Sequence, residues 1–238
     1  SGAGKTTLLN VLAGIEKPSE GELLINGYNI HTQEDKVQGV IGYIAQDDLL
    51  IEELTVYENL YYNAKLCFAN MSEEELDSRV INVLTSLGLE QRKDLKVGSV
   101  LDKTISGGQR KRLNIALELI REPAIMFVDE PTSGLSSRDS ENVIDLLKEL
   151  SLKGKLIFVV IHQPSSDIYK MFDKMYIMDT GGYPIFYGNP IHAVTHFKEA
   201  THQVDSHRGQ CETCGNVNPE QIFNIIEAKV VDEYGQLT

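Results

Sequence analysis

The chain has 238 residues, of which 42% are hydrophobic and 24% are charged, and its formal net charge is −13. These proportions are typical of a folded globular protein and exclude wholesale disorder. The acidic excess repels phosphate backbones, so we expect no broad nucleic-acid-binding surface. Any phosphate that this chain binds must therefore be held by local dipoles and one or two cations.

Apolar runs and cysteines indicate where the chain resides. The longest strongly apolar runs, such as residues 156–161, are too short to cross a bilayer, which needs about 20 apolar residues. No signal peptide opens the chain. Its three cysteines are too few and too unevenly placed for a disulfide scaffold. We therefore expect an intracellular, reducing environment.

The predicted elements alternate between helices and short strands. In chain order they are a loop over 1–7, a helix over 8–13, strands over 22–25 and 40–45, a helical segment over 51–101, a helix over 113–121, a strand over 125–128, a helix over 140–153, a strand over 156–161, and a hairpin of 175–178 with 185–187. Capping-box sequences at Thr55 and Ser72 mark two helix starts in the helical segment. Apolar strands that alternate with amphipathic helices predict an α/β fold with a largely parallel sheet.

A glycine-rich loop opens the chain. Ser1-Gly-Ala-Gly-Lys-Thr-Thr7 matches the end of the phosphate-loop pattern G-x-x-x-x-G-K-[ST]. In such a loop, backbone N–H groups surround an anion, Lys5 reaches the β- and γ-phosphates, and the Thr6 hydroxyl binds Mg²⁺. The alternative is an ordinary glycine-rich helix start with a solvated lysine. The first glycine of the pattern and the strand before it are missing, so we expect the chain to be truncated at its N-terminus.

Two acids end the predicted strand over 125–128. Asp129 stands at the strand tip, where it is suited to the Mg²⁺ shell, and Glu130 is suited to polarising a water molecule against the γ-phosphate. Solvated acids at a strand end are the alternative. A phosphate loop in the same chain favours the catalytic interpretation.

A basic cluster follows the glycine-rich sequence 104–109. Arg110, Lys111 and Arg112 crowd the first turn of a predicted helix, where positive charge opposes the helix dipole. Three uncompensated cations predict an anion that docks at this helix end. The alternative is a solvated basic face.

Four further motifs carry a family resemblance. Ser106-Gly-Gly-Gln109 resembles the signature motif of ATP-binding-cassette (ABC) ATPases, Gln46 resembles the family's Q-loop glutamine, and His162 resembles its switch histidine. The fourth motif resembles the D-loop and consists of Ser133, Gly134, Leu135 and Ser136. The motifs occur in the family's order across nearly the whole chain.

Three short sequences indicate a branch of this family. The residues at 107–112, 161–165 and 218–223 resemble the white/G subfamily, in which an ATPase precedes a membrane domain in one polypeptide.

The resemblance implies a P-loop NTPase core with a mostly parallel sheet, an inserted α-helical lobe and a small antiparallel β element. Residues 1–238 would form one ABC ATPase domain. Its core would comprise 1–50 and 102–200, its helical subdomain 51–101, and an extension toward the membrane-domain linker 201–238. The expected location is the cytoplasmic face of a membrane.

The resemblance also implies a mechanism that uses ATP and Mg²⁺. Residues of the phosphate loop would bind the nucleotide (Ser1, Gly2, Ala3, Gly4, Lys5, Thr6 and Thr7). Thr6, Gln46 and Asp129 would hold Mg²⁺, Glu130 would act as the general base, and His162 would brace the γ-phosphate. Gln46 would also couple the attacking water to the membrane domain.

Family members dimerise head to tail, so each signature motif faces the ATP of the other subunit. Ser106, Gly107, Gly108 and Gln109 would therefore act in trans, with Ser106 and Gly108 as donors. The implied partners are a second ABC ATPase domain and a transmembrane permease domain, in the same polypeptide beyond Thr238. The implied function is ATP hydrolysis that drives transport across a membrane, in an exporter.

One position departs from the family pattern. The D-loop usually carries aspartate where this chain has Ser136. That aspartate helps to connect the two ATP sites, so the departure concerns coupling between the sites rather than hydrolysis within one of them.

A group of histidines and cysteines lies near the C-terminus. His202, His207, Cys211 and Cys214 have the ligand types of a tetrahedral zinc site, although the histidine spacing is irregular. Free thiols or a redox-sensitive disulfide are the alternatives. A zinc ion here would be structural rather than catalytic.

Two other functions compete with the transport motor. One is a non-transport ABC ATPase that acts on ribosomes or DNA, although such proteins usually carry tandem cassettes or coiled coils and basic surfaces. The other is a regulatory switch that binds ATP with weak hydrolysis, against which Glu130 argues.

Overall fold

A computed structural model describes residues 2–99, 104–202, 207, 209 and 217–226. They belong to two compact units. The larger unit comprises residues 5–161, and the smaller one joins the first four residues to the chain from 162 onward.

The larger unit carries most of the secondary structure. Its elements are α1 (Lys5–Leu12), β1 (Leu24–Ile25), β2 (Tyr28–Asn29), α2 (Glu34–Val37), β3 (Ile41–Ile44), α3 (Val56–Cys67), α4 (Glu73–Ser86), a 3-10 turn (Glu90–Arg92), α5 (Gly107–Leu119), β4 (Ile125–Asp129), α6 (Ser137–Leu152) and β5 (Leu156–Val160).

A parallel sheet organises the larger unit, with β4 paired to β3 on one side and to β5 on the other. Ile44 pairs with Val128, and Asp129 pairs with Val160, so the carboxyl ends of the three strands lie at one edge. In parallel sheets, ligands bind outside this edge. The arrangement confirms the predicted α/β fold with a mostly parallel sheet.

The core of the sheet forms against α1. Leu9 of α1, Phe127 of β4 and Val160 of β5 form one buried cluster, and the Phe127 ring stacks on that of Phe158 with centroids 5.1 Å apart. Burial of such side chains stabilises each by about 1.5–3 kcal/mol. The contact fixes the start of α1 near the ends of the strands.

The two helices predicted from capping boxes are confirmed. Thr55 Oγ1 accepts a hydrogen bond from the Glu58 amide at 3.1 Å, and the Glu58 carboxylate accepts one from the Thr55 amide. Ser72 and Glu75 make the same pair at the start of α4. Each pair satisfies two amide groups that a helix start otherwise leaves without partners.

The smaller unit contains α7 (Ser166–Lys170), β6 (Met175–Met178), β7 (Pro184–Gly188), α8 (Pro190–Ala200) and α9 (Glu220–Ile226). Strands β6 and β7 form the predicted antiparallel hairpin. Its core packs Tyr169 of α7 against Val194 and Phe197 of α8 and Ile222 of α9. The Tyr169 hydroxyl donates to the Pro190 carbonyl at 2.6 Å. No helix in the described part of the chain is long and apolar enough to cross a membrane.

Candidate functional site

The glycine-rich loop adopts a backbone that requires glycine. Gly2 and Gly4 have φ angles of 86° and 80°, in the left-handed region that other residues rarely adopt. A methyl group on Gly2 would meet no atom within 4 Å, so the backbone conformation, and not crowding, demands glycine there. Ser1 lies outside the described residues.

Helix α1 begins at Lys5, three residues before the predicted start. Lys5, Thr6 and Thr7 therefore form its first turn, where amide groups have no partner within the helix. These groups, together with the positive end of the helix dipole, suit an anion. Lys5, Thr6 and Thr7, which are predicted to bind phosphate, thus lie in the part of α1 whose amide groups and dipole suit an anion.

Asp129 ends the central strand and is only 4% exposed. Burial raises the pKa of its carboxyl group and the neighbouring Glu130 adds to this, whereas a hydrogen bond from Thr6 and the charges of Lys111 and Lys5 lower it. Two residues predicted to hold magnesium, Thr6 and Asp129, are therefore neighbours.

The oxygen atoms of this pair fit a magnesium ion. Asp129 Oδ1 is buried and has no hydrogen-bond partner among the residues that the structure describes. A buried acceptor without a donor is costly, and a hard cation removes that cost because it binds carboxylate and hydroxyl oxygens. The site therefore supplies the donor set that Mg²⁺ prefers.

Glu130 follows the strand in a strained conformation. Its φ angle is 41°, which costs a residue other than glycine about 1–3 kcal/mol. The Glu130 amide donates to the Val160 carbonyl at 3.0 Å, so the sheet holds the residue in place. A carboxylate is thereby fixed at the carboxyl edge of the sheet, one residue from Asp129.

Gln46 lies on the same edge, two residues after β3 ends. Its side chain is exposed, and Nε2 lies 3.5 Å from Ser133 Oγ, a long hydrogen bond. The predicted Q-loop and D-loop residues are thus brought together within the larger unit, although they are 87 positions apart.

The predicted D-loop residues form a turn between β4 and α6. The Ser133 amide donates to the Glu130 carbonyl at 3.1 Å. Gly134 follows with a φ of 71°, and a methyl group there would meet no atom within 4 Å. Leu135 then lies against the signature sequence, because its Cδ2 would be 3.1 Å from a methyl group on Gly107. The turn therefore connects the carboxyl edge of the sheet to the start of α5.

The premise that the three cations of the basic cluster are uncompensated is wrong, because each of them has a partner within the chain. Arg110 makes two hydrogen bonds to the Asp48 carboxylate, at 2.9 and 3.1 Å. Lys111 Nζ donates to the carbonyls of Ala45 and Gln46, and Arg112 donates to the carbonyl of Leu87. The Asp48 carboxylate and backbone carbonyls of neighbouring segments therefore stabilise the positive charge that opposes the helix dipole.

The predicted signature residues form the start of α5. Ser106 Oγ accepts from the Gln109 amide at 3.2 Å, and Gln109 Oε1 accepts from the Ser106 amide at 2.8 Å. This capping box leaves the Ser106 hydroxyl proton free to be donated. Gly107 and Gly108 form the first turn of α5, where Gly108 packs against Asp139.

Ser136 caps helix α6. Its Oγ accepts from the Asp139 amide at 3.1 Å and lies 2.9 Å from Asp139 Oδ2, to which it donates. Serine and aspartate are equally good N-cap residues. The departure from the family pattern therefore preserves the local helix start.

The remaining predicted residues belong to the smaller unit. His162 is exposed and stands two residues after β5. His202 and His207 are exposed, whereas Cys211 and Cys214 lie outside the described residues, as does the predicted zinc site that needs them. Among the residues that the structure describes, no three histidine, cysteine or acidic side chains are grouped to hold a metal.

A groove of about 790 Å³ lies away from these residues, between α3 and α4. Two of its carboxylates already have partners, because the hydroxyl groups of Tyr57 and Tyr61 donate to Asp77 and Glu73. The groove shares no residue with the candidate site.

Comparisons with known proteins agree with this geometry. The family model for ABC transporters matches residues 1–133. The broad substrate specificity ATP-binding cassette transporter ABCG2 of Mus musculus is 38% identical over 215 residues, which are 89% of this chain and 32% of the relative. ABC transporter G family member 14 of Arabidopsis thaliana is 38% identical over 83% of this chain and 30% of its own length. The chain thus spans about a third of these relatives.

A solved structure has the same fold. The protein cbiO1 from Clostridium perfringens, part of the ABC transporter complex cbiONQ, matches with a TM-score of 0.71 and 27% identity over 87% of this chain and 83% of its own. The parallel sheet, the helices and the small antiparallel sheets of this chain agree with a P-loop NTPase fold, to which this similarity also points. The chain belongs to the ABC transporter family, of which it is an ATP-binding domain that resembles the G subfamily.

Proposed function

We propose that this chain is the ATP-hydrolysing motor of an ABC transporter, and specifically of an exporter. The observation that carries the proposal is the buried Asp129, directly before Glu130. Its carboxylate lies beside Thr6, and one of its oxygens has no hydrogen-bond partner in the described part of the chain. A cation-binding oxygen, a phosphate-binding helix start and a carboxylate base are the parts that phosphoryl transfer to water requires.

Nucleotide binding falls to the start of α1. Lys5 and the amide groups of the first turn would bind the β- and γ-phosphates, together with the loop over residues 1–4. Thr6, Asp129 and Gln46 would hold Mg²⁺, which neutralises charge on the phosphates during transfer.

Hydrolysis falls to the carboxyl edge of the sheet. Glu130 would take a proton from the attacking water while the water oxygen bonds to the γ-phosphorus and the bond to ADP breaks. Gln46 would orient this water, and His162 would brace the γ-phosphate. Both roles come from the family resemblance, and the exposure of both side chains leaves them accessible to a ligand.

The second half of each site would come from another copy or a paralogue. In a head-to-tail dimer, Ser106 and the amides of Gly107 and Gly108 would face the partner's γ-phosphate, with the D-loop turn at 133–136 between the two sites. Two observations support this: the Ser106 hydroxyl keeps a free proton, and the first amides of α5 have no partners within the helix.

An apolar patch beside Gln46 supports a membrane-domain partner. Leu49 and Ile51 are 76% and 52% exposed and follow the loop that carries Gln46. Contiguous exposed apolar surface is typical of interaction sites, whereas single exposed side chains are common, so these two residues support the proposal together with the family resemblance. We propose that they contact a permease domain in the same polypeptide, with the ATPase on the cytoplasmic face and residues 201–238 leading to the linker. In this scheme residues 1–50 and 102–200 form the core and 51–101 the helical subdomain.

ATP turnover by the full-length transporter tests the proposal. Glu130→Gln should abolish steady-state phosphate release and leave ATP binding intact, because it removes the base and preserves the shape of the side chain. Glu122→Gln is the matched control, since Glu122 also has a left-handed backbone (φ 54°) and lies before β4 instead of after it. Unchanged turnover in Glu130→Gln would exclude this residue as the base, and wild-type binding without turnover would favour an ATP-operated switch.

A further inference from the structure

A buried lysine on the signature helix binds the loop that carries Gln46. Lys111 is 7% exposed, and its Nζ donates to the carbonyl oxygens of Ala45 at 3.1 Å and Gln46 at 2.8 Å. Burying an ammonium group is expensive unless strong acceptors replace water. The site therefore holds a costly charge whose only direct hydrogen bonds in the described structure reach these two peptide groups.

The contact is local to Gln46. The neighbouring Arg110 binds Asp48, and Asn114 lies one turn further along α5, with its Oδ1 3.5 Å from the Leu49 amide. Lys111 alone, among these three side chains, reaches the peptide of Gln46. The orientation of the two peptide groups around Gln46 determines the direction in which its side chain leaves the backbone.

We propose that Lys111 is a positioning residue for Gln46, which it holds through the two carbonyl groups so that the glutamine side chain faces the Asp129 edge of the sheet. The inference rests on the proposed function, because Gln46 needs this position only if the chain hydrolyses ATP. Lys111 links the helix that would meet the partner's nucleotide to the loop that would serve the chain's own nucleotide. A partner's ATP that shifts α5 would thereby move Gln46.

A double-mutant cycle in the full-length transporter tests this role. Lys111→Met should lower kcat for ATP hydrolysis by about tenfold or more, because small misplacements of a catalytic group cost one to two orders of magnitude. The KM for ATP should change by less than about threefold, since the hydrogen bonds of Lys111 go to the Ala45 and Gln46 carbonyls and to no residue of the phosphate loop that the structure describes. In a Gln46→Ala background, Lys111→Met should lower kcat by less than about twofold, because there is no longer a side chain to position.

The matched control is Lys155→Met. Lys155 Nζ also donates to a backbone carbonyl, that of Pro123 at 2.6 Å, but this carbonyl precedes β4 at the end of the strand opposite Asp129. The control removes the same kind of bond and should leave kcat within about twofold of the wild type. If Lys111→Met does not fold, Lys111→Gln replaces it, because the glutamine side chain is also uncharged but keeps a group that can donate a hydrogen bond.

A second readout needs no nucleotide. The amide hydrogen exchange rate of residues 46–49 should rise in Lys111→Met and stay at the wild-type rate in Lys155→Met. Only Lys111→Met removes hydrogen bonds to this loop. The inference is overturned if the two kcat effects at Lys111 and Gln46 multiply, if Gln46→Ala alone leaves kcat unchanged, or if exchange at 46–49 does not respond. Absence of turnover in the wild type would instead refute the proposed function, and the exchange result would still report on the contact.

Discussion

The Asp139 carboxylate packs directly on the Cα atom of Gly108, and a methyl group on this glycine would lie 2.6 Å from Asp139 Oδ1. A side chain at position 108 of the signature sequence therefore fits only if the Asp139 side chain moves. This requirement arises within one subunit, before any nucleotide or partner is considered.

Gly108→Ala should destabilise the domain by about 1–3 kcal/mol, because the methyl group displaces the Asp139 side chain from its hydrogen bond with Ser136. Urea unfolding measures this free energy. Asp139→Ala in the same chain should recover part of the loss, since it removes the two nearest of the three clashing atoms. Ser137→Ala, on the exposed start of α6, is the control. A Gly108→Ala variant as stable as the wild type would show that the Asp139 side chain adjusts freely.

Ser136→Ala should lower the free energy of unfolding by about 1 kcal/mol, because it removes the N-cap of α6. Ser136→Asp keeps a capping oxygen but sets a second carboxylate beside Asp139, so it should recover only part of this loss. Thermal unfolding of the three proteins in parallel measures the order. Equal stability of Ser136→Ala and the wild type would show that the Ser136 N-cap does not stabilise the fold.

Asp129→Asn should make the nucleotide-free domain at least as stable as the wild type in EDTA. Burial raises the pKa of Asp129, so the folded protein disfavours the charged form. The wild type should therefore lose stability relative to the variant as the pH rises from the usual Asp pKa of about 4 through the raised value. Denaturant unfolding from pH 4 to 8 measures the difference, which should grow with pH.

The same variant separates cofactor binding from folding. Added MgATP should raise the unfolding temperature of the wild type, because a ligand that binds only the folded state stabilises it. The increase should be lost in Asp129→Asn and in wild type treated with EDTA. An undiminished increase in the variant would exclude Asp129 from the magnesium site.

Mixing two inactive full-length variants should restore turnover if the sites are shared between subunits. Lys5→Ala damages the phosphate loop, and Ser106→Ala damages the signature motif. A mixed dimer contains one site with both defects and one with neither, so it should regain up to about half of the wild-type rate per mixed dimer, with the intact site turning over by itself. Mixtures without any recovered phosphate release would argue against sites completed in trans.

The sequence predicts the sheet and the place of its strand-end acids well, because apolar runs and strand-end acids are local signals. Strands over 125–128 and 156–161 agree with β4 and β5 to within one residue at each end. The start of α5, in contrast, lies earlier in the chain than the predicted helix over 113–121. Ser106-x-x-Gln109 fits a capping box and could have placed the helix start at Gly107, but the three basic residues that follow favoured an anion site as the explanation of this segment.

The contacts of those basic residues could not be predicted from local sequence. Lys111 and its carbonyl partner on Gln46 are 65 positions apart, and a buried lysine has the same local sequence signature as a solvated one. Only the packing of α5 beside β3 decides between them. Helices α7 and α9 are short and depend on packing in the smaller unit, which explains why periodicity did not indicate them.

The left-handed backbone at Glu130 has a consequence for selection experiments. Glycine and asparagine adopt this conformation with less strain than glutamate does. A selection for thermal stability alone, carried out on a library of variants, should therefore enrich glycine and asparagine at position 130. The selected variants would be more stable to heat because their backbone at this position is unstrained, but they would lack the carboxylate at the end of the strand.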